Sequence, residues 1–318
     1  CIVGASSAFT ESTLAQIYKK KDEHGNAYGG PAYYIEKAFR SRIPALFFCF
    51  FLLMTYAFGF QLLCSYNLQT TFQAYSFYDP KTTPAIIGAI LAITAGYCIL
   101  GGGKRIIKLT SSIVPAMGIF YVLIALIVII ANLKNIPHMF GIIFEDAFNF
   151  KAIFGGFAGS AMMQGIKRGL YSNEAGVGSA PNAAAAATVS HPAKQGLVQM
   201  LSVFIDTLLI CTATALMCLS SGIVPSPELS GAPFVQTALA TKFGAFGPVF
   251  ITVSLLLFAF TTLIGNLYYC EGCMNYIAKK QVGKTGMNIF RVVACLIVFV
   301  GAMLEFGFVW NVADVLMG

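Results

Sequence analysis

Two adjacent threonines in an apolar run are the residues of this sequence best suited to binding a metal cation. The run LLLFAFTTLIGNLYY contains Thr261 and Thr262, and the backbone carbonyl of Phe258 lies one turn earlier. Hard cations such as sodium prefer oxygen ligands, and two hydroxyls with one carbonyl supply three. The alternative is that both hydroxyls donate back to their own helix, as threonine commonly does. From these residues alone the self-bonded arrangement is favoured, and the predicted sodium site at Thr261, Thr262 and the Phe258 carbonyl is left open.

A glycine-rich stretch, 150–166, could bind a substrate through its backbone. It reads FKAIFGGFAGSAMMQGI, and its glycines disfavour a continuous helix. In a membrane, the break in such a helix exposes free amides and carbonyls that can hold a carboxylate, an amine or a cation. Close helix packing through small residues explains the same glycines equally well. We predict substrate contacts around the expected break, at Gly155, Gly156, Phe157, Gly159 and Ser160.

Polar side chains also interrupt the apolar run 45–70, which contains Gln61, Ser65 and Asn67. Gln61 and Ser65 are four residues apart and therefore share a helix face. Polar side chains within membranes tend to face the interior of the bundle and to mark pathways, although interhelical hydrogen bonds are the alternative. We predict that these three residues line a substrate site.

Two carboxylates are harder to assign. Glu174 lies in a loop of small residues, 172–181, and we predict that it pairs with Lys167 or Arg168 as an inner gate. A solvated loop charge is the alternative. Asp206 lies within an apolar run, where an ionisable group is a functional candidate by default, but it could equally anchor a network between helices.

Enzyme motifs are absent from the sequence: it has no H-E-x-x-H, no G-x-S-x-G and no phosphate-binding loop. The single C-x-x-C, at Cys270 and Cys273, has no second pair or histidine to complete a zinc site. We expect neither enzymatic activity nor a cofactor, and no nucleic-acid partner, because no basic soluble domain is evident.

The elements that position these residues are membrane helices. Of the 318 residues, 57% are hydrophobic and only 10% are charged, against roughly 25% in soluble domains. A bilayer crossing needs about 20 largely apolar residues. Six runs meet this condition, 150–166 is a less regular seventh, and 1–18 reads as the end of another helix. The six are 45–70, 84–101, 111–132, 196–220, 246–268 and 290–309.

The number of lysine and arginine residues alternates between high and low in successive connecting segments. One set of segments carries 16 of the 20 basic residues and the other set carries 4. By the positive-inside rule, the rich set is cytoplasmic. We therefore predict a multi-pass protein of the cell (inner or plasma) membrane with cytoplasmic segments 18–42, 102–109, 167–195 and 269–289.

Four segments resemble the alanine or glycine:cation symporter family, also known as sodium:alanine symporters. The block RGLYSNEAGVGSAP is the most specific, and the resemblance extends over nearly the whole chain. The four segments are 10–39, 165–196, 258–272 and 309–318.

The resemblance implies a single all-α transporter domain, 1–318, built as two inverted repeats of five helices, each opening with a broken helix. Segment 150–166 then opens the second repeat. The first broken helix and the last helix are expected to lie outside the chain, which reads as truncated at both ends. In the family, Thr261 and Thr262 resemble sodium ligands that carbonyls of the first broken helix complete.

This sequence departs from the family pattern at two positions. The usual Gln-x-Asn is Ser65-Tyr66-Asn67 here, and Asn266 stands where the family usually has tryptophan. Both positions are expected to line the substrate pocket, and Asn266 makes its wall smaller and more polar. Gln61 is the expected substitute for the missing amide.

The resemblance implies sodium-coupled symport of a small neutral amino acid, similar to alanine or glycine, by alternating access. Sodium is the expected coupling ion, and the lipid bilayer and the amino acid are the expected partners. An amino-acid-gated channel or a sensor-like membrane protein without stoichiometric coupling is the alternative function.

Overall fold

The computed structural model describes residues 1–21, 25, 27–100, 103–148, 157–224, 226, 229–279 and 282–317. These residues are almost entirely helical, and two short strands, Lys20–Lys21 and Ala27–Tyr28, pair antiparallel. The predicted all-α class is confirmed. The helices in chain order are α1 (Ile2–Ile17), α2 (Pro31–Phe39), α3 (Arg42–Leu52), α4 (Phe60–Thr70), α5 (Thr83–Leu100), α6 (Gly103–Ala131), α7 (Ile136–Ala147), α8 (Phe157–Asn173), α9 (Ala180–Ala186), α10 (Pro192–Phe204), α11 (Thr212–Leu219), α12 (Gly231–Phe243), α13 (Phe246–Ala278), α14 (Lys284–Gly301) and α15 (Phe306–Met317).

Two long runs contain a π-helical segment. Leu53–Gly59 joins α3 to α4, and Ile205–Cys211 joins α10 to α11. The 3₁₀ turn Thr71–Ala74 extends α4. Among the described residues, six runs are long and apolar enough to cross a membrane, and each overlaps one of the six predicted spans. They are Arg42–Ala74, Thr83–Leu100, Thr110–Ala131, Pro192–Leu219, Phe246–Ala278 and Lys284–Gly301.

Two of the predicted spans differ most from the structure at their ends. The prediction 290–309 is wrong at its end, because α14 stops at Gly301 and α15 begins at Phe306. A Cβ at Gly301 would lie 2.7 Å from the Leu62 Cα, so this helix end presses against the α4 backbone. The prediction 246–268 is too short, since α13 continues to Ala278 with Cys270, Cys273 and Tyr276 buried.

The glycines of 150–166 predict a broken helix, but the stretch is described only from Phe157 onward. In that part the prediction is wrong, because the helix is continuous through Gly159 and Gly165, and 150–156 lies outside the described residues. From Phe157, α8 runs to Asn173, so Lys167 and Arg168 lie on a helix and not in a loop.

The helices of the described residues pack into a bundle through contacts between pairs of helices. α1 lies along α10, α5 lies along α14, and α13 packs against α4 and α6. α13 is central, and its Leu263, Ile264 and Leu267 are fully buried. Large apolar side chains such as Ile93 and Ile130 remain exposed on the outer faces, as expected of helices surrounded by lipid.

Candidate functional site

The three predicted sodium ligands lie together on α13. Thr261 Oγ1 donates to the carbonyls of Leu257 and Phe258, both at 3.0 Å. Thr262 Oγ1 donates to the Phe258 carbonyl at 2.8 Å. Both hydroxyls are thus bonded to their own helix, the arrangement favoured from these residues alone. Each hydroxyl still has acceptor capacity, so sodium binding by these residues stays a prediction.

Gln61 and Ser65 are fully buried, and their side chains bind two different helices. Gln61 Nε2 donates to the Leu263 carbonyl of α13 at 3.1 Å, and Ser65 Oγ donates to the Val298 carbonyl of α14 at 2.6 Å. α4 is therefore hydrogen-bonded to both helices, and the Ser65 hydroxyl is used in one of these contacts. Gln61 Oε1 is buried without a hydrogen-bond partner among the described residues, which leaves one acceptor for a ligand.

Asn67 lies where two cavities meet. The larger cavity has a volume of about 330 Å³ and is mostly apolar, with residues of α4, α6, the π segment 205–211, α11, α12 and α13 in its wall. The smaller cavity, of about 140 Å³, shares Asn67 and Ala232 with it. The half-buried Asn67 side chain makes no hydrogen bond to any residue in the described part of the chain. Its amide is therefore free to bind a ligand, and its role in substrate binding stays a prediction. The larger cavity is lined by Asn67, Tyr121, Ile210, Thr214, Ala232, Val235, Ile251, Ser254, Leu255 and Phe258.

Asn266 is buried one turn after Leu263, the residue that Gln61 contacts. Its side chain is 3% exposed, and Nδ2 has no hydrogen-bond partner within the ranges that the structure describes. A buried donor without a partner costs about 1–3 kcal/mol. Asn266 Nδ2 and Gln61 Oε1 are thus an unsatisfied donor and an unsatisfied acceptor on two helices in contact. Substrate binding by Asn266 stays a prediction.

The other predicted substrate contacts come from the glycine-rich stretch. Gly155 and Gly156 lie outside the described residues. Phe157, Gly159 and Ser160 lie at the start of α8. Their contacts to substrate also stay predictions.

The predicted gate residues are not brought together. Arg168 binds Asp314 through both its terminal nitrogens, at 2.8 and 3.0 Å, and Lys167 Nζ lies 3.3 Å from the same carboxylate. The Arg168 guanidinium also lies 4.4 Å from the ring centroid of Trp310. A two-point contact between guanidinium and carboxylate is strong and directional. α8 is therefore linked to α15, and the Arg168–Glu174 pair is not formed in this structure.

Glu174 is part of the loop that follows α8. Its backbone is left-handed, with φ 51°, and its carboxylate accepts a hydrogen bond from the Ser179 hydroxyl. Burial raises the pKa of the Glu174 carboxyl above its usual range. Gly178 holds the loop close to α3, because φ is +89° and a Cβ would lie 2.8 Å from Phe48 Cε2. The structure therefore shows a half-buried carboxyl with a defined partner and not a freely solvated loop charge.

Comparison with known proteins identifies the family of this sequence. The profile of the sodium:alanine symporter family matches residues 1–318. The chain belongs to this family. The resemblance found in the sequence is thereby confirmed, and family membership together with six candidate spans indicates a multi-pass membrane protein.

Three relatives are similar over nearly the whole chain. It is 40% identical over 317 residues to the probable sodium/glutamine symporter GlnT of Bacillus subtilis, covering 100% of this chain and 65% of the relative. It is 40% identical over 316 residues to the amino-acid carrier protein AlsT of the same organism, covering 99% and 66%. It is 39% identical over 325 residues to the sodium/alanine symporter AgcS of Methanococcus maripaludis, covering 99% and 69%. The chain thus spans about two thirds of their length.

Sequence reasoning missed Asp314 and Trp310, the partners of Arg168 on α15. Both lie in the segment VWNVADVLMG, which carried part of the family resemblance. The signal that could have found Asp314 is a lone carboxylate in an apolar helix, which usually has a partner inside the protein. Its partner lies 146 residues away in the chain, so spacing could not reveal it.

Proposed function

We propose that the complete protein is a sodium-coupled symporter of a small neutral amino acid, similar to alanine or glycine, working by alternating access. The observation that carries this proposal is the match to the sodium:alanine symporter family over residues 1–318. Relatives named as sodium/glutamine and sodium/alanine symporters support sodium coupling and an amino-acid substrate.

The proposed architecture is two inverted repeats, and helix lengths support it. The run Arg42–Ala74 and α13 are both 33 residues long, and α5 and α14 are both 18 residues long. The members of each pair occur in the same order and pack against each other. Contacts between equivalent helices of two repeats are expected when the repeats are related by an axis in the membrane plane.

The proposed mechanism uses neutral oxygens on α13. The hydroxyl oxygens of Thr261 and Thr262 would coordinate a sodium ion together with the Phe258 carbonyl. Gln61, Asn67 and Asn266 would bind the amino acid. Sodium drives transport only if it binds one conformation more tightly than the other, and coupling of this kind is reciprocal. We place the α8–α9 loop on the cytoplasmic side from the alternation of basic residues.

The test is uptake of labelled alanine, glycine, serine and glutamine by the full-length protein in liposomes, with sodium or choline outside. We expect uptake of at least one of them only with sodium. Sodium-independent uptake, or no uptake of any of the four, would contradict the proposal. An ion current far larger than the flux of labelled amino acid would favour the alternative function, an amino-acid-gated channel.

Thr262→Ala tests the ion site. Loss of one oxygen ligand should raise the half-saturating sodium concentration at least about tenfold, equivalent to about 1.4 kcal/mol. Thr94→Ala is the matched control, because Thr94 is exposed on α5 and its hydroxyl also donates to its own helix, at the Ile90 carbonyl. Equal sodium dependence in the two variants would remove Thr262 from the site.

A further inference from the structure

Asp206 is a carboxylate near the middle of a membrane-spanning run. The run is Pro192–Leu219, and Asp206 lies in its π-helical segment, Ile205–Cys211. Its neighbours Ile205, Leu208 and Leu209 are exposed apolar side chains, as expected of a helix that faces lipid. A carboxylate at this depth is costly unless its charge is compensated.

Polar groups from two segments converge on one oxygen of this carboxylate. Ser172 Oγ, near the end of α8, donates to Asp206 Oδ2 at 2.8 Å, and Thr207 Oγ1 donates to the same oxygen at 3.3 Å. Asn173 Nδ2 donates to Thr207 Oγ1 at 3.1 Å, which directs the Thr207 proton toward Asp206. Cys211 Sγ lies 3.2 Å from Ser172 Oγ. Asp206 Oδ1 accepts no hydrogen bond from the described residues.

No lysine or arginine among the described residues compensates the charge of Asp206. Lys167 and Arg168 on α8 are bound to Asp314. The titratable groups that interact electrostatically with Asp206 are Glu174, in the loop after α8, and Cys211, in the same π segment, and neither carries a positive charge. Among the described residues the Asp206 carboxylate therefore has hydroxyl donors but no cationic partner.

The π-helical backbone of Ile205–Cys211 is a second feature, independent of the hydrogen bonds, that indicates a functional site at Asp206. A π turn widens the helix and is often found at functional sites. Here it sets Asp206 and Cys211 beside the same Ser172 hydroxyl, and Thr212 Oγ1 lies 3.3 Å from the Thr207 carbonyl. Carboxylate, hydroxyl and carbonyl oxygens are thus grouped at one side of the run.

We propose that Asp206, Ser172 and Thr207 form a binding site for one monovalent cation, either a sodium ion or a proton, at Asp206 Oδ1. A sodium ion would also use the hydroxyl oxygens of Ser172 and Thr207, whereas a proton needs Oδ1 alone. The site is on the α8–π segment contact and not on α13, so it is additional to the Thr261–Thr262 group. As a coupling site it rests on the proposed symport, but cation binding itself does not.

The experiment measures cation binding by the purified full-length protein and does not depend on transport. Labelled sodium bound per protein is counted at saturation, and the infrared band of a protonated carboxyl is recorded as the pH is varied. The variants are Asp206→Asn and Ser172→Ala, and the control is Glu145→Gln, an exposed carboxylate on α7.

If the site holds sodium, Asp206→Asn binds one sodium ion fewer and Ser172→Ala binds sodium several-fold more weakly. If it holds a proton, sodium binding is unchanged and Asp206→Asn loses the carboxyl band. Unchanged sodium binding together with an unchanged band would overturn the proposal. If Asp206→Asn does not give a monodisperse protein, Ser172→Ala and Asp206→Glu are measured in the same two assays, and no change in either again overturns it.

The result for the Asp206 site can be distinguished from the result for the proposed symport. A protein that takes up no amino acid but loses a sodium ion or a carboxyl band in Asp206→Asn refutes symport and retains the site. A sodium-dependent symporter whose sodium binding and carboxyl band are the same in Asp206→Asn retains symport and refutes the site.

Discussion

The part of α13 up to Asn266 and the part from Leu267 to Ala278 use polar side chains differently. In the first part the polar side chains are hydroxyls and one amide, bonded to carbonyls or unsatisfied. In the last part Glu271 accepts a hydrogen bond from Arg291 Nε at 2.7 Å. There Arg42 also donates to the carbonyls of Tyr276 and Ile277, at 2.8 and 2.7 Å.

This difference follows from the thickness of a bilayer. About 20 helical residues cross the hydrocarbon, so a 33-residue helix extends beyond it. Neutral groups at hydrocarbon depth can bind a small ion or a zwitterion without a permanent buried charge, and paired charges are tolerated near the interface. Removal of either cation at the end of α13 tests this division, and the carboxylates Asp314 and Glu174 extend the comparison to other parts of the molecule.

The largest effect is expected from Arg291→Met. It leaves Glu271 buried without its partner, since both side chains are only 13% exposed. Loss of one partner of a buried ion pair costs about 3–5 kcal/mol, and thermal unfolding in detergent should show a matching fall in stability. The double variant Arg291→Met, Glu271→Met should recover most of it. An equal loss in the double variant would show that packing, and not charge, stabilises this end.

Arg42→Gln should have a smaller effect. Arg42 satisfies the last carbonyls of α13, and a cation there also interacts favourably with the helix dipole. Its removal should cost about 1–2 kcal/mol in the free energy of unfolding. Arg40→Gln is the control, because Arg40 is exposed at the end of α2. Equal stability of the two variants would exclude the capping role.

Asp314→Asn should change stability by less than about 1 kcal/mol, because Arg168 is 39% exposed and the pair is partly hydrated. Its visible effect should be faster hydrogen exchange in α15, since the two-point contact to α8 is lost. Lys167→Gln should leave the exchange of α15 unchanged, because Lys167 is more exposed and the Arg168 contact remains. Equal exchange in both variants would refute a link between α8 and α15.

The smallest effect is expected from Glu174, and it depends on pH. Its pKa is raised in the folded state, so the unfolded chain releases this proton at a lower pH than the folded protein. Stability should therefore fall as the pH rises from the ordinary carboxyl range through the raised pKa. Glu174→Gln should remove this slope in melting temperature against pH. If the melting temperature of Glu174→Gln falls with pH as steeply as that of the unchanged protein, another group causes the slope.

Much of the fold could be predicted because the signals are local. Apolar length alone located the six spans, and the family blocks predicted the membership that the profile match confirms. The grouping of Thr261 and Thr262 with Phe258 was also predictable, since a threonine hydroxyl reaches the carbonyl three or four residues earlier in any helix.

Contacts between distant segments could not be predicted. The pattern placed Gln61 and Ser65 on one face, but it could not say that one would bind α13 and the other α14. Arg168 was assigned to the nearest carboxylate in the sequence, whereas the folded chain supplies Asp314. The end of α13 was missed because hydropathy counts Glu271 as a charge and cannot show that Arg291 neutralises it.

The order of the amino acids is enough to predict a multi-pass chain, the approximate positions of its six candidate spans and its family. Each of these depends on apolar length or on contiguous motifs, which are properties of neighbouring residues. Which polar groups are satisfied becomes visible in the folded chain alone, because a hydrogen bond or an ion pair between helices depends on how the helices pack. That packing leaves Gln61 and Asn266 with unsatisfied atoms and leaves Asp206 without a positive charge among the described residues.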